Sequence, residues 1–160
     1  MIKGIFLTVI FLLNALSTVS VSNSEYLETQ LSKLVMPEGF KVKVYASEVE
    51  NARSMAVSPS GTIFVGNRRA DNVFALKDTD GDNVIDKKYL ITDKLKNMPN
   101  GVAFFNGDLY VAEVNKIWVF RNIEENLEYV EKFGDYPEEP VLISEDYPSD
   151  RHHGWKYISF

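Results

Sequence analysis

The only two histidines of the chain are neighbours, in Asp150-Arg151-His152-His153-Gly154-Trp155-Lys156. An imidazole titrates close to neutral pH, so it can take and return a proton, and a nearby carboxylate can fix its orientation. His153 and His152 are therefore the candidate general bases, and Asp150 is the candidate orienting group. On extended backbone, adjacent side chains point to opposite faces, so only one of the two histidines is expected to enter a site. The competing account is a surface loop with two solvated imidazoles. A zinc pair finds no third ligand nearby.

A second cluster is acidic: Asp78-Thr-Asp80-Gly-Asp82-Asn-Val-Ile-Asp86. Carboxylates at the first, third, fifth and ninth positions, turning about Gly81, can converge on a hard cation such as Ca²⁺. Asp78, Asp80, Asp82 and Asp86 are the expected ligands. The pattern departs from an EF-hand, which needs Gly at the sixth position and Glu at the twelfth. A metal there would be structural. A solvated acidic hairpin loop fits the same residues.

Two further loops bear polar groups. In Asn97-Met98-Pro99-Asn100-Gly101, Asn100 can both donate and accept hydrogen bonds toward a polar ligand. The favoured account from the residues alone is a Pro-Asn-Gly turn that only shapes the backbone. Gly66-Asn67-Arg68-Arg69 stands at a comparable place in the chain. Arg68 or Arg69 suits an anionic cofactor, with Arg69 taken as the contact. A surface role for both remains open.

These loops need elements to hold them. The chain has 160 residues, 45% hydrophobic and 25% charged, which marks a globular protein. A net charge of −6 and no basic stripe argue against nucleic acid. The absence of cysteine excludes disulfides, thiolate metal sites and covalent c-type haem within this sequence. Residues 1–22 have the three-part plan of a secretory signal: Lys3, an apolar run of about nine residues from Ile5 to Leu13, then small residues around Ser20. A membrane span needs about 20 apolar residues, so no stable span is expected after cleavage. The expected location is periplasmic or secreted.

Residues 23–36 form a polar, mildly helical lead-in. From residue 37 the pattern changes to short strands and Gly, Asn or Asp turns. Strands are expected at 40–46, 54–57, 62–66, 72–76, 88–92, 101–105, 108–112, 116–120, 141–144 and 155–160. They also repeat. Ser54 to Gly66 and Gly101 to Ala112 share one order: small, apolar, Ala, apolar, a Gly turn, then polar, apolar, aromatic, Val, small. Ala56 and Ala103 lie 47 positions apart, and Val65 and Val111 lie 46 apart. A period in the forties with several short strands per unit predicts an all-β protein of the β-propeller type. Val65 and Val111 are expected to face neighbouring blades. A third start at Gly154 to Phe160 has no following turn, so residues 37–160 read as the first two to two and a half blades of a longer chain.

The strings Pro37-Glu-Gly-Phe-Lys-Val, Asn51 to Gly66, Met98 to Phe104, Leu109 to Glu113 and Arg151-His-His-Gly-Trp-Lys156 together resemble the sorbosone dehydrogenase-like branch of the pyrroloquinoline quinone (PQQ)-dependent sugar dehydrogenases. The resemblance spans residues 36–160. It implies a six-bladed propeller with PQQ and Ca²⁺ at the mouth of its channel. It implies oxidation of an aldose or sugar aldehyde, with electrons passing to an acceptor such as a cytochrome. The base role would fall to His153, then His152, with Asp150 orienting it and Asn100 near the cofactor. The family's Asp-His adjacency is interrupted here by Arg151 and His152, and its cofactor clamp and catalytic Ca²⁺ ligands come from later blades. Residues 1–160 alone are thus expected to be inactive. The alternatives are a secreted, non-catalytic propeller that binds a glycan or a protein, and a calcium-dependent lactonase on the same architecture.

Overall fold

The structure is a computed structural model that describes residues 23–160. The expected signal segment, 1–22, lies outside the described residues. Two units are distinguished, one reaching Lys43 and the other running from Val44 to Phe160. In the first, helix α1 (Asn23–Leu31) is followed by a turn in which the Phe40 N–H donates to the Pro37 carbonyl at 3.1 Å. Gly39 takes a φ of 85° there.

The second unit is built from eight strands. In β1 (Ala52–Val57), β2 (Ile63–Asn67), β3 (Val73–Lys77) and β4 (Lys87–Thr92), each strand pairs antiparallel with the next. The same holds for β5 (Gly101–Phe105), β6 (Asp108–Ala112), β7 (Ile117–Phe120) and β8 (Val141–Ser144). The hairpin β5–β6 closes on Asn106 and Gly107 at φ of 49° and 87°, the paired positive φ that a two-residue turn needs to match strand twist. The protein is therefore mainly β, with two antiparallel four-stranded sheets.

Side-chain alternation places the core. Phe64, Val73, Ala75 and Ile91 of the first sheet meet Val102, Leu109, Val111 and Phe120 of the second, all buried. Phe64 stacks on Phe104 at 5.6 Å between ring centres. Strand β5 lies against β1 and β2. Each fully buried aliphatic or aromatic side chain contributes about 1.5–3 kcal/mol of transfer free energy, which makes this interface the main source of cohesion.

The repeat has a direction. Phe64 of β2 faces the following sheet. Its counterpart Tyr110 in β6 faces the other way from the core, where Phe160 meets it at 4.7 Å. Val111 packs back onto the first sheet. Its counterpart Val65 points to the opposite face of that sheet, into an apolar groove with Val44, Ala46, Val49 and Met55. Each sheet thus offers one face forward and one back, related by the 46- to 47-residue step.

Two expectations are corrected, and one element is new. Residues 40–46 form no paired strand. Within 44–46, the Tyr45 carbonyl accepts one hydrogen bond, from Ile85, and no ladder follows. Residues 155–160 are likewise unpaired. Phe160 instead stacks on Phe105 at 4.5 Å. Alternation alone names the faces of a strand but not a partner. A second helix, α2 (Leu127–Phe133), interrupts the β7–β8 connection, anchored by buried Leu127 and Val130 and ended by Gly134 at φ 73°.

Candidate functional site

The turns that follow β2, β4 and β6 and the segment after β8 gather around the histidine loop. Gly66 makes that possible at the end of β2. A Cβ on Gly66 would lie 2.3 Å from the Asn100 carbonyl oxygen and 2.8 Å from that of Pro99. The bare backbone lets the Pro99 carbonyl accept the Asn67 N–H at 2.8 Å. Asn67, only 1% exposed, then holds the next turn with its side chain. Its Oδ1 accepts from Arg69 N–H at 2.8 Å and Ala70 N–H at 2.7 Å, and its Nδ2 donates to Asn72 at 2.7 Å.

This turn separates the two arginines. Arg68 extends over the Trp155 ring, 4.4 Å from its centre. Arg69, the expected cofactor contact, is exposed and engages Asn67 only through its backbone. Arg53, from β1, reaches the same indole at 5.5 Å. The structure therefore brings Arg68 rather than Arg69 to the histidine loop. Spacing does not distinguish the two, because the choice is made by the Asn67 side chain.

The loop itself is tightly folded. A Cβ on Gly154 would lie 1.9 Å from the Asp150 carbonyl oxygen and 2.9 Å from Val114 Cγ1, so only glycine fits as the chain turns. His153 sits at φ 56°, in the left-handed region. That conformation overturns the expectation that the two imidazoles diverge, since it rests on extended backbone. The rings of His152 and His153 meet edge to face at 4.3 Å, and His153 lies 5.1 Å from the Trp155 ring. Both histidines and Asp150 are exposed. Among the described residues, no hydrogen bond joins the Asp150 carboxylate to either ring. Lys156 Nζ donates to the Gly154 carbonyl at 2.6 Å and adds another cation.

Asn100 is the buried member of the group, 4% exposed. Its Nδ2 donates to the Lys156 carbonyl at 3.3 Å, which ties the β4–β5 connection to the histidine loop. Its Oδ1 is buried without a hydrogen-bond partner. An orphaned buried acceptor costs about 1–3 kcal/mol, so this oxygen is a local cost within the site. Met98, at φ 57°, sets up the turn that places it, with the Asn100 N–H donating to the Met98 carbonyl at 2.7 Å.

The acidic loop is a separate feature. Carboxylate oxygens of Asp78, Asp80 and Asp86 lie within 4.8 Å of one another. Backbone amides shape the group: Asp78 accepts from Gly81 at 2.7 Å and Asn83 at 2.8 Å, and Asp86 accepts the Thr79 N–H at 2.6 Å. Desolvation works to raise the Asp78 pKa, but the amides of Gly81, Asn83 and Asp80 outweigh it and hold the carboxyl below its usual range. Thr79, through hydroxyl and amide, lowers Asp86 in the same way. Asp82, the fourth expected ligand, stands outside the trio and accepts from the Val84 N–H at 2.7 Å. Hard oxygen donors at this spacing suit a divalent cation, although exposed acidic turns form without one.

Among the described residues, no helix is long and apolar enough to cross a membrane. An uncharacterized protein of Borreliella burgdorferi is 29% identical over 122 residues, which are 76% of this chain and 28% of that protein. The chain thus spans little more than a quarter of that relative's length. Residues 26–128, from α1 into α2, match the family described as "Domain of unknown function (DUF7133)". That match takes in the acidic loop, Arg68 and Asn100, stops short of the histidine loop, and covers more than half of the sequence; the chain belongs to the DUF7133 family.

Proposed function

We propose that this chain supplies the first sheets of a six-bladed β-propeller in a PQQ- and calcium-dependent dehydrogenase that oxidises an aldose or sugar aldehyde in the periplasm. The directional repeat of two four-stranded sheets supports the propeller, because each sheet presents to the next the face its predecessor presented to it. One observation carries the chemistry. Trp155 lies beneath Arg68 and beside His153, and the segment bearing it contacts the buried, half-satisfied Asn100. Two guanidinium groups and an imidazole pair fit a planar, polyanionic quinone.

Bound there, PQQ supplies the electron sink for a hydride leaving the sugar carbon. Arg68 and Arg53 would counter its carboxylates. His153 would take the proton of the sugar hydroxyl at an imidazole nitrogen, with the edge of His152 limiting its rotation. Asp150 would support the pair by charge. The acidic loop would hold a structural Ca²⁺, apart from the redox centre. An acceptor such as a cytochrome would remove the electrons.

The test uses the full-length gene product, reconstituted with PQQ and Ca²⁺ and assayed by dye reduction with aldoses and sugar aldehydes. Turnover is expected, and His153→Ala should abolish it while PQQ still binds. No reduction across the panel overturns the proposal; glycan or protein binding without turnover would favour a non-catalytic propeller.

A further inference from the structure

A shallow, open cleft of about 470 Å³, with a lining about equally polar and apolar, lies beside the histidine loop, between the segment after β4, the β6–β7 turn and the segment after β8. Its size falls in the range of about 300–1,000 Å³ usual for small-molecule sites. Trp118, on β7, lines it. The indole is fixed by its N–H, which donates to Glu113 Oε2 at 2.8 Å. The other Glu113 oxygen accepts the Asn97 N–H at 2.7 Å, so this buried carboxylate is committed to holding the walls. Asn97 Nδ2 donates to Asn115 Oδ1 at 2.8 Å. That leaves the Asn97 oxygen and the Asn115 nitrogen without a protein partner among the described residues. They form an acceptor and a donor side by side.

The cleft is also cationic in an acidic protein. Lys94, Lys96, Lys116 and Arg151 line it, against the single carboxylate of Glu113. Lys94 pairs with Asp135, and Lys116 with Glu145 at 3.4 Å, while lying 5.6 Å from the Trp118 ring. Lys96 Nζ meets only the Asp93 carbonyl, at 2.6 Å. The Arg151 guanidinium has no ion pair among the described residues.

We propose that this cleft binds an acidic saccharide, a uronate-bearing oligosaccharide rather than a neutral one. The indole of Trp118 suits the apolar face of a sugar ring. The Asn97–Asn115 pair suits vicinal hydroxyls, and Lys96 with Arg151 suits the carboxylate. A bare anion would use the cations and leave the indole and amides idle. The site stands independently of the quinone reading, since none of its residues contacts the proposed cofactor.

Isothermal titration of the apoprotein with trigalacturonate, maltotriose and sodium sulfate, without PQQ, tests it. Trigalacturonate should bind more tightly than either of the others, by about tenfold or more, and more weakly as salt rises. The exposed double variant K96Q/R151Q should lose about tenfold in affinity with an unchanged circular dichroism spectrum. Trp118→Phe should weaken binding at constant salt dependence. The proposal is overturned if trigalacturonate gives no heat, if sulfate or maltotriose matches it, or if K96Q/R151Q binds as the parent does. Failure of dye reduction in the full-length protein leaves this result untouched.

Discussion

Replacing Gly66 by alanine isolates the close approach between the end of β2 and the β4–β5 connection. The added methyl would stand 2.3 Å from the Asn100 carbonyl oxygen, whereas ordinary contact begins near 3.4 Å. Both clashing oxygens, those of Asn100 and Pro99, belong to backbone, so no rotamer change relieves the overlap. The β4–β5 connection must retreat by about 1 Å, a forced shift of the kind that costs about 1–3 kcal/mol. The retreat also stretches the buried Asn67 N–H to Pro99 bond, now 2.8 Å, and an unpaired buried amide adds about 1–3 kcal/mol. The sum is about 2–6 kcal/mol, a large part of the 5–15 kcal/mol typical of a domain. Urea unfolding of the purified chain should show a midpoint lowered by about 1–3 M at a constant slope of about 2 kcal/mol per M. Gly61→Ala is the control. Gly61 has φ 89° and nothing within 4 Å of a built Cβ, so it reports left-handed strain alone, about 1 kcal/mol. A Gly66→Ala variant within about 0.5 kcal/mol of the parent, or more stable than Gly61→Ala, would refute the close-packing argument.

Glu124 links the second sheet's trailing turn to the β1–β2 turn, where Ser58 donates to it at 2.8 Å and Ser60 also donates. Desolvation works to raise its pKa, but donation from Ser60, Thr62 and Ser58 prevails and sets it below the ordinary 4.5. The sign follows: the unfolded chain takes up this proton first as pH falls, so the link's full stabilisation is present above pH 4.5 and is lost as pH drops through the lowered folded value. A melting temperature followed from pH 6 to pH 3 should fall less steeply in Ser60→Ala than in the parent; parallel curves would contradict the linkage. For the acidic loop, Ca²⁺ should raise the melting temperature, and Asp80→Asn should diminish the effect more than Asp82→Asn, because Asp82 stands outside the trio. No shift at about 10 mM Ca²⁺, beyond the range of weak extracellular sites, would mark the loop as a solvated turn.

Much of the architecture was legible because local chemistry and global pattern agree. Asn106-Gly107 can only be a tight turn, and the strands on either side of it fall where alternation places them. The same logic misled at 40–46 and 155–160, where alternation is present but no ladder forms among the described residues. Helix α2 left a signal in Leu127, Val130 and Gly134, yet seven residues between strands carry a weak period. The candidate site was legible in residue type and obscure in geometry. Nothing in Arg68-Arg69 says which side chain meets Trp155, since that depends on how Asn67 turns the backbone. The positive φ of His153 reverses the expected divergence of the imidazoles. The Trp118–Glu113–Asn97 chain escaped notice because it joins residues from two loops around a cleft that only folding creates.

Strand order within each sheet follows the sequence without a crossover. Five of the six ladders therefore join strands separated by a short turn or loop, and only β7–β8 encloses a helix. The entropy of closing such loops grows slowly with length, so both sheets can assemble from nearby segments with little conformational search. A demanding step that remains is the docking of β5 onto β1 and β2, which brings together residues up to nearly fifty positions apart. Renaturation speed should be governed by that collision of preformed hairpins, rather than by the assembly of either sheet.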